Sequence, residues 1–591
     1  MATTTILPVL LLEQYTADPA HFRAPVSLHN LLAKSIELEE QYKAKGFRFW
    51  KRAKGALHAN VQKERIPTEQ TKADGQESPS TKGSNHNMKQ ASVKKQRLAR
   101  GVSGLPMSQT PALVGAKPGH IDCDVDVDDI VYWNDPQGTR DREFVSPFVT
   151  PKDYYLTFEP DPGGWNNIRM SMEIIFVLAA ATGRTLVLPP KAPFYLLGTG
   201  KQNARSFGSF FPLEHPEFQK RVKVITMTEF LEREGTKLLG LSSEKVEKLK
   251  PVAEMCLHAK DSDINCELLY PLLRSKGLQP DMEAQAKSCF VFDVDYFQGN
   301  TLSDDAKQRV DRFCGSQRKA HYYDKSLHEP RLIHWDASKS DHRLLNHFYA
   351  FLFFTDPVID NYFKRFVRDF LHYKDQIYCA AGKIIHALNA EGKPWSSMHI
   401  RRGDFQYKVV KLPAEEWYNN TKEVWKPGEI LFIATDERNK TWFDPIKRHH
   451  EVRFLDDYWD MAKLGTLDSN FLGMIDTIVA SHGRAFAGTW FSTFTGYINR
   501  MRGYLGHSMN NSWYSWLERK EAMLEWTYPR PNYPAREWPI GWVAIDGDEI
   551  IEHEGEPVVE DDEEGKQPIK RKVRIFLFVL LAVANSHPLM T

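Results

Sequence analysis

The sequence predicts an α/β protein built from two parallel-sheet halves that face a cleft. Two observations carry this. Between about 145 and 545, short apolar strands alternate with helical segments, as parallel sheets with crossover helices require. The alternation also runs twice, with a break near 390 at Gly392 and Pro394. The halves are therefore Rossmann-like, and ligands in such sheets bind beyond the carboxyl ends of the strands.

The elements follow in order. "YYLTF" at 154–158 reads as a strand, and a helix over 166–182 is closed by Gly183 before the strand "TLVLP". In "FLHYKDQIYCAAGKIIHAL", positions 370, 374, 377, 381, 384, 385 and 388 recur at helical spacing. The strand Ser397 to Ile400 follows, then "EILFIATD", "VRFLDD", helix "LDSNFLGMIDTIVASH", strand "AFAGT" and helix "STFTGYINRMRGY".

Outside this block the composition changes. Residues 1–59 read as a helical arm, amphipathic over 27–57, and 60–144 as a polar, disordered linker or stalk. Residues 145–390 read as the first Rossmann-like domain and 391–545 as the second. Residues 546–591 are an acidic and then apolar tail.

Lysine plus arginine equals aspartate plus glutamate at 77 each. A zero balance argues against a nucleic-acid partner and makes any anion site local. The six cysteines, at 123, 256, 266, 289, 314 and 379, show no zinc spacing and leave open up to three disulfides or buried thiols. Their even number, with sequons at Asn419, Asn439 and Asn510, leans toward an oxidising compartment. "ILPVLLL" at 6–12 makes a poor signal peptide, and the ten residues "IFLFVLLAVA" at 575–584 are too few to span a bilayer, although they leave membrane contact open.

Three stretches carry chemistry. In "PWSSMHIRRGDF" (394–405) the strand runs into two arginines and a Gly-Asp turn. Alternation buries Met398 and Ile400 and projects His399 with Arg401 toward the cleft. Arg401 offers a planar fork of donors for phosphate. Arg402 then points back and needs an acid, Asp404 or Asp436, while Gly403 lets the chain turn. The bland alternative is an Arg-Asp bridge that only holds a turn. In "DPGGWNNIRMS" (161–171) paired glycines precede a helix, whose free amides favour an anion. In "AGTWFSTFTGYINRMRG" (487–503) Ser492, Thr493 and Thr495 open a helix; capping alone explains them equally well.

Together, and in this order, the stretches resemble the GDP-fucose-dependent O-fucosyltransferases, a GT-B family related to α1,6-fucosyltransferases. The matching residues are Gly163, Gly164, Asn166 and Arg169; then His399 to Phe405; then Gly488 to Phe494, within roughly 150–510. The resemblance implies inverting transfer of fucose from GDP-fucose to a hydroxyl of a protein or glycan, without a metal or other cofactor. It implies that Arg401 holds the β-phosphate and that His399 and Asp436 seat the nucleoside or order the site. Ser492, Thr493 and Phe494 would line the pyrophosphate and base pocket, with Asn166 near the fucose and leaving oxygen, and Gly163, Gly164, Arg169, Arg402 and Asp404 would complete the substrate-binding set. It also implies that 145–390 is the acceptor-side domain, that 391–545 binds GDP-fucose, and that the protein works in the secretory pathway, ER or Golgi.

Two features compete with this reading. "DVDVDD" (124–129) and "DVD" (293–295) match the Asp-x-Asp of manganese-dependent transferases. Some relatives also carry a glutamate base in the first loop, where this chain has Gly163. Another acid acts, the proton leaves through the departing phosphate, or the protein binds nucleotide sugar without turnover. Glu173 reads as structural.

Overall fold

The computed structural model describes residues 119–133, 139–194, 203–258, 262–280, 287–315, 318–336, 343–403, 411–507, 511–515, 537, 539–542 and 545–546. All lie in one compact unit, Gly101–Thr591. The helical arm, most of the linker, nearly all of the tail, Asp404 and Asn510 fall outside the described residues.

The first half contains β1 (Tyr155–Phe158), β2 (Thr185–Leu188), a short hairpin of β3 (Ala192–Pro193) and β4 (Ala204–Arg205), β5 (Val224–Thr226), β6 (Ser288–Phe292), β7 (Lys319–Tyr322), β8 (Leu332–Trp335) and β9 (Leu352–Phe354). They form two parallel sheets, β5-β2-β1-β8 and β7-β6-β9. The second half contains β10 (Trp395–Ile400), β11 (Ile430–Thr435), β12 (Val452–Arg453), β13 (Phe486–Thr489) and β14 (Ser512–Ser515). Their order is β12-β11-β10-β13-β14, and every pairing is parallel. β1, β2 and β10 are buried along their whole length, as expected of strands covered by helices on both faces.

Helix α1 (Trp165–Thr182) joins β1 to β2 and ends at Gly183, whose φ of 64° is left-handed. The helical pattern expected from 370 to 388 divides into α2 (Pro357–Phe370) and α3 (Asp375–Ala390). Leu371 leaves helical geometry at ψ 40° and Tyr373 turns into the core, so one apolar pattern runs across a break. α4 (Leu472–His482) and α5 (Thr493–Tyr504) flank β13. α3 packs along α4, so packing assigns it to the second sheet although it precedes 390.

The upper part of the expected linker is folded. Ile121, Val127, Ile130, Tyr132 and Trp133 are buried, and Tyr378 donates to the Tyr132 hydroxyl at 2.9 Å. Polar composition averaged over 60–144 hides this apolar strap. Disulfides join Cys123 to Cys379, Cys256 to Cys266 and Cys289 to Cys314, and the first ties the strap to α3. Asn419 and Asn439 are exposed. Among the described residues no helix is long and apolar enough to cross a membrane.

Candidate active site

In the second sheet the chain moves from β10 through β11 to β12 on one side, and from β13 to β14 on the other. The strand order therefore reverses between β10 and β13, and a crevice opens beyond their carboxyl ends. Arg401 and the residues after Thr489 occupy it. The Arg401 amide donates to Thr489 Oγ1 at 2.9 Å, and that hydroxyl donates to the His399 carbonyl at 3.0 Å. Asp436, just past β11, accepts from the amides of Arg402 (2.7 Å) and Gly403 (3.0 Å). A Cβ on Gly403 would stand 2.7 Å from Asp436 Oδ2, so the close approach requires glycine. Asp436 orders the turn that aims Arg401.

Arg402 turns away, as alternation predicts, and the acid that meets its side chain is Glu437 rather than Asp436, Asp404 lying outside the described residues. Its Nε donates to Glu437 Oε2 at 2.8 Å, and its guanidinium lies 4.1 Å over the Trp442 ring. Asp436 is already taken by two backbone amides, so the next residue supplies the carboxylate. Arg402 thus braces the turn.

Met398 and Ile400 are buried with Leu431, Ile433 and Ala487, and His399 takes the other face. The His399 ring stacks on Phe494 at 4.4 Å, with Nδ1 2.7 Å from Thr495 Oγ1. Burial, and then the nearby Arg401 charge, hold its pKa at about 3. At neutral pH it is an uncharged platform. Phe491 adopts a left-handed φ of 63°, a strain of about 1–3 kcal/mol for a bulky residue. It shapes the turn into α5, where the buried Ser492 Oγ has no hydrogen-bond partner among the described residues.

The first sheet reverses order between β1 and β8, and its crevice holds the 159–164 loop. Buried Asp161 accepts two bonds of 2.8 Å from Arg343 and one of 2.7 Å from the Gly163 amide. A Cβ on Gly163 would stand 2.6 Å from Asn167 Nδ2 and 2.7 Å from Asp161 Oδ1, so a glutamate does not fit here without rearrangement. Gly164 caps α1 with extended backbone. Thr493, the first residue of α5, donates to Asn167 Oδ1 at 3.1 Å. The positive ends of α1 and α5 therefore meet beside the Arg401 turn, an arrangement suited to a diphosphate.

Arg169 is fully buried. It pairs with Glu173, lies 3.6 Å over the Tyr497 ring, and its Nε donates to Asn166 Oδ1 at 3.2 Å. Arg169, one turn into a buried helix, thus meets Asn166 from within the protein.

The family model for GDP-fucose protein O-fucosyltransferase matches residues 155–505, more than half of the chain. The chain belongs to the GDP-fucose protein O-fucosyltransferase family. Solved structures are similar at low identity. POFUT1 in complex with GDP-fucose is 13% identical, over 62% of this chain and 99% of that one, at a TM-score of 0.30. Fucosyltransferase NodZ from Bradyrhizobium is 13% identical, over 60% and 93%, at 0.30. A point mutant of Arabidopsis thaliana FUT1 in complex with GDP is 12% identical, over 59% and 68%, at 0.30. No curated protein matches. The α/β class and the parallel sheets read from the sequence stand.

Within the family match, sequence reasoning missed Asn167, Thr489 and Asp476. Asp476 sits in α4, whose amino-terminal end reaches the same crevice: a Cβ on Gly473 would lie 3.7 Å from Phe494 Cε2. Burial, and then the charge of Asp456, raise its carboxyl pKa well above the ordinary range. Its buried Oδ1 has no hydrogen-bond partner among the described residues. The signal was present as one acid inside the apolar run "GMIDTIVA".

Of the Asp-x-Asp carboxylates, Asp124, Asp128, Asp129 and Asp293 are engaged elsewhere. Asp124 pairs with Lys383 and with Lys463 (2.9 Å), Asp128 accepts from the Ile121 amide at 2.9 Å, and Asp129 meets His386 at 2.8 Å. Asp293 caps a short helix through the Tyr296 amide at 2.8 Å and accepts from Thr355 at 2.6 Å. Asp124 also lies near the sulfurs of Cys123 and Cys379, but these are bonded to each other.

Proposed function

We propose that this protein transfers fucose from GDP-fucose to a hydroxyl of a protein or glycan acceptor, with inversion and without a metal. The observation that carries the reading is the meeting of three elements at one crevice. These are the Arg401 turn fixed by Thr489 and Asp436, the start of α5, and the first turn of α1 at Asn166 and Asn167, joined to α5 by Thr493.

In the transition state the sugar ring gains positive charge and the departing diphosphate gains negative charge. The Arg401 guanidinium and the free amides at the start of α5 are preorganised for that leaving charge. The Ser492 hydroxyl is available to a phosphate oxygen. Neutral His399, stacked on Phe494, forms the wall of the nucleoside pocket. Asp476, on the helix that reaches Phe494 through Gly473, has an unused acceptor oxygen, which suits a base edge that carries N–H donors, as guanine does.

The acids at and beside the loop are all held in ion pairs. Glu159 is held by Arg274, Asp161 by Arg343, and Glu173 by Arg169 and Arg500. Loss of the acceptor proton through the departing phosphate accords best with this loop. The second reading, a nucleotide-sugar binder without turnover, draws on the same closed Gly163 position. The three disulfides support an oxidising compartment, and hence the secretory pathway.

GDP-fucose hydrolysis in EDTA, with water as the acceptor, tests the reading. Arg401→Ala should lower the rate by about 10²–10³. Tight GDP-fucose binding with no release of fucose would decide for the binder.

A further inference from the structure

We infer that a buried ion cluster completed by Glu537 positions Asn166 to present a hydrogen-bond donor to the departing diphosphate. The inference rests on the transferase reading above. It assigns a role to a residue that lies beyond the family match and outside every motif.

Arg169 and Glu173 stand one turn apart on α1, Arg500 lies on α5, and Glu537 comes from the chain after the second sheet. Glu173 binds Arg169 through Oε1 and Arg500 through Oε2, the latter at 2.6 Å. Glu537 binds Arg500 Nε, and its Oε1 lies 3.7 Å from Arg169 Nη2. His347 Nδ1 lies 2.9 Å from the same oxygen, and Tyr349 donates to Oε2 at 3.0 Å. Tyr514 holds the Glu537 backbone, donating to its carbonyl at 3.0 Å and accepting from its amide at 2.8 Å. None of the four charged side chains is more than 2% exposed.

Two cations and two anions balance here, so loss of one leaves a charge uncompensated in the interior. With Glu173 and Glu537 drawing on its terminal nitrogens and Tyr497 beneath its plane, Arg169 has little freedom. Its Nε is left pointing at Asn166 Oδ1. A guanidinium has no acceptor, so the amide atom facing it must be the oxygen. The donor end, Nδ2, is then the end available to the crevice. Donation there stabilises negative charge on a leaving phosphate oxygen, whereas the flipped amide would repel it. Glu537 and Arg169 are positioning residues that act through Asn166.

The test uses the full chain carrying Glu537→Gln, Asn166→Ala or both. GDP binding is followed by calorimetry, GDP-fucose hydrolysis at saturating donor, and stability by melting. Glu537→Gln should leave GDP affinity within about twofold and lower kcat at least about tenfold at little-changed KM. In the Asn166→Ala background it should add less than about twofold, because coupled residues are not additive. Full additivity, or an unchanged kcat, would overturn the proposal. Should Glu537→Gln fail to fold, Tyr349→Phe removes one bond to the same carboxylate. It should lower kcat about threefold, again only when Asn166 is present. A wild-type chain that neither binds GDP nor turns over GDP-fucose would sink the transferase reading instead. Melting would still decide the cluster: sub-additive losses support coupling between Glu537 and Asn166, and additive losses refute it.

Discussion

The Thr493 hydroxyl donates to Asn167 Oδ1 at 3.1 Å, fastening the first residue of α5 to the first turn of α1. One neutral hydrogen bond contributes about 0.5–1.5 kcal/mol. Thr493→Val should therefore weaken GDP binding about three- to tenfold, and Thr493→Ser should restore it. Calorimetry on the two variants checks this; equal affinities would show that the bond does not organise the site.

Arg401 and Arg402 are adjacent, yet their replacement should have opposite consequences. Arg401→Ala should abolish detectable GDP binding while leaving the melting temperature within about 1 °C. Arg402→Ala removes a partly exposed ion pair with Glu437 and a stacking contact on Trp442. It should cost about 1 kcal/mol of stability and leave most nucleotide affinity intact. Denaturant titration beside calorimetry separates the two effects.

Asp476 links nucleotide binding to protons. Its carboxyl pKa is raised in the free protein by burial and by Asp456. A bound base offering N–H donors favours the ionised form, so binding should release a proton and strengthen as pH rises toward the raised value. Calorimetry in buffers of differing ionisation enthalpy measures that release. Asp476→Asn should abolish it and reduce the preference for GDP over ADP by about tenfold or more. A release unchanged in the variant would assign the proton to another group.

His399 makes stability depend on acid. Its folded pKa, about 3, lies below the ordinary histidine value of 6.5. Between those values the unfolded chain binds the additional proton. Stability contributed by the neutral ring is therefore complete above pH 6.5 and declines as pH falls toward 3. The slope is at most about 1.4 kcal/mol per pH unit for this group. His399→Gln should flatten denaturant-derived stability between pH 6 and 4 by about that amount; an unchanged slope would refute the assignment.

Local rules were enough for several parts of this site. Gly183 marks the end of α1 because left-handed backbone favours glycine, and the alternation of β10 separates buried Met398 and Ile400 from His399. The Gly403 turn, and the departure of Arg402 from the cleft, follow from the same short-range geometry. The partners did not follow, because they are chosen across the fold. Asp436 was drawn to two amides, which left Glu437 for Arg402. Arg169 looked like a ligand contact by its motif position, but α1 buries that face against Arg500 and Glu537, which are distant in sequence. The strap at 119–133 was lost because its few apolar residues are diluted by polar neighbours, although Cys123 reaches Cys379. Asp476 was legible as an acid in an apolar helix, but the approach of that helix to Phe494 through Gly473 needed the fold.

The central claim is that Arg401 and the start of α5 hold a diphosphate without metal. Titration of the protein with GDP-fucose in EDTA, with GDP-mannose as control, tests it most directly. The account predicts tight binding that prefers fucose and is lost in Arg401→Ala. Binding that appears only when manganese is added, and that survives Arg401→Ala, would contradict it.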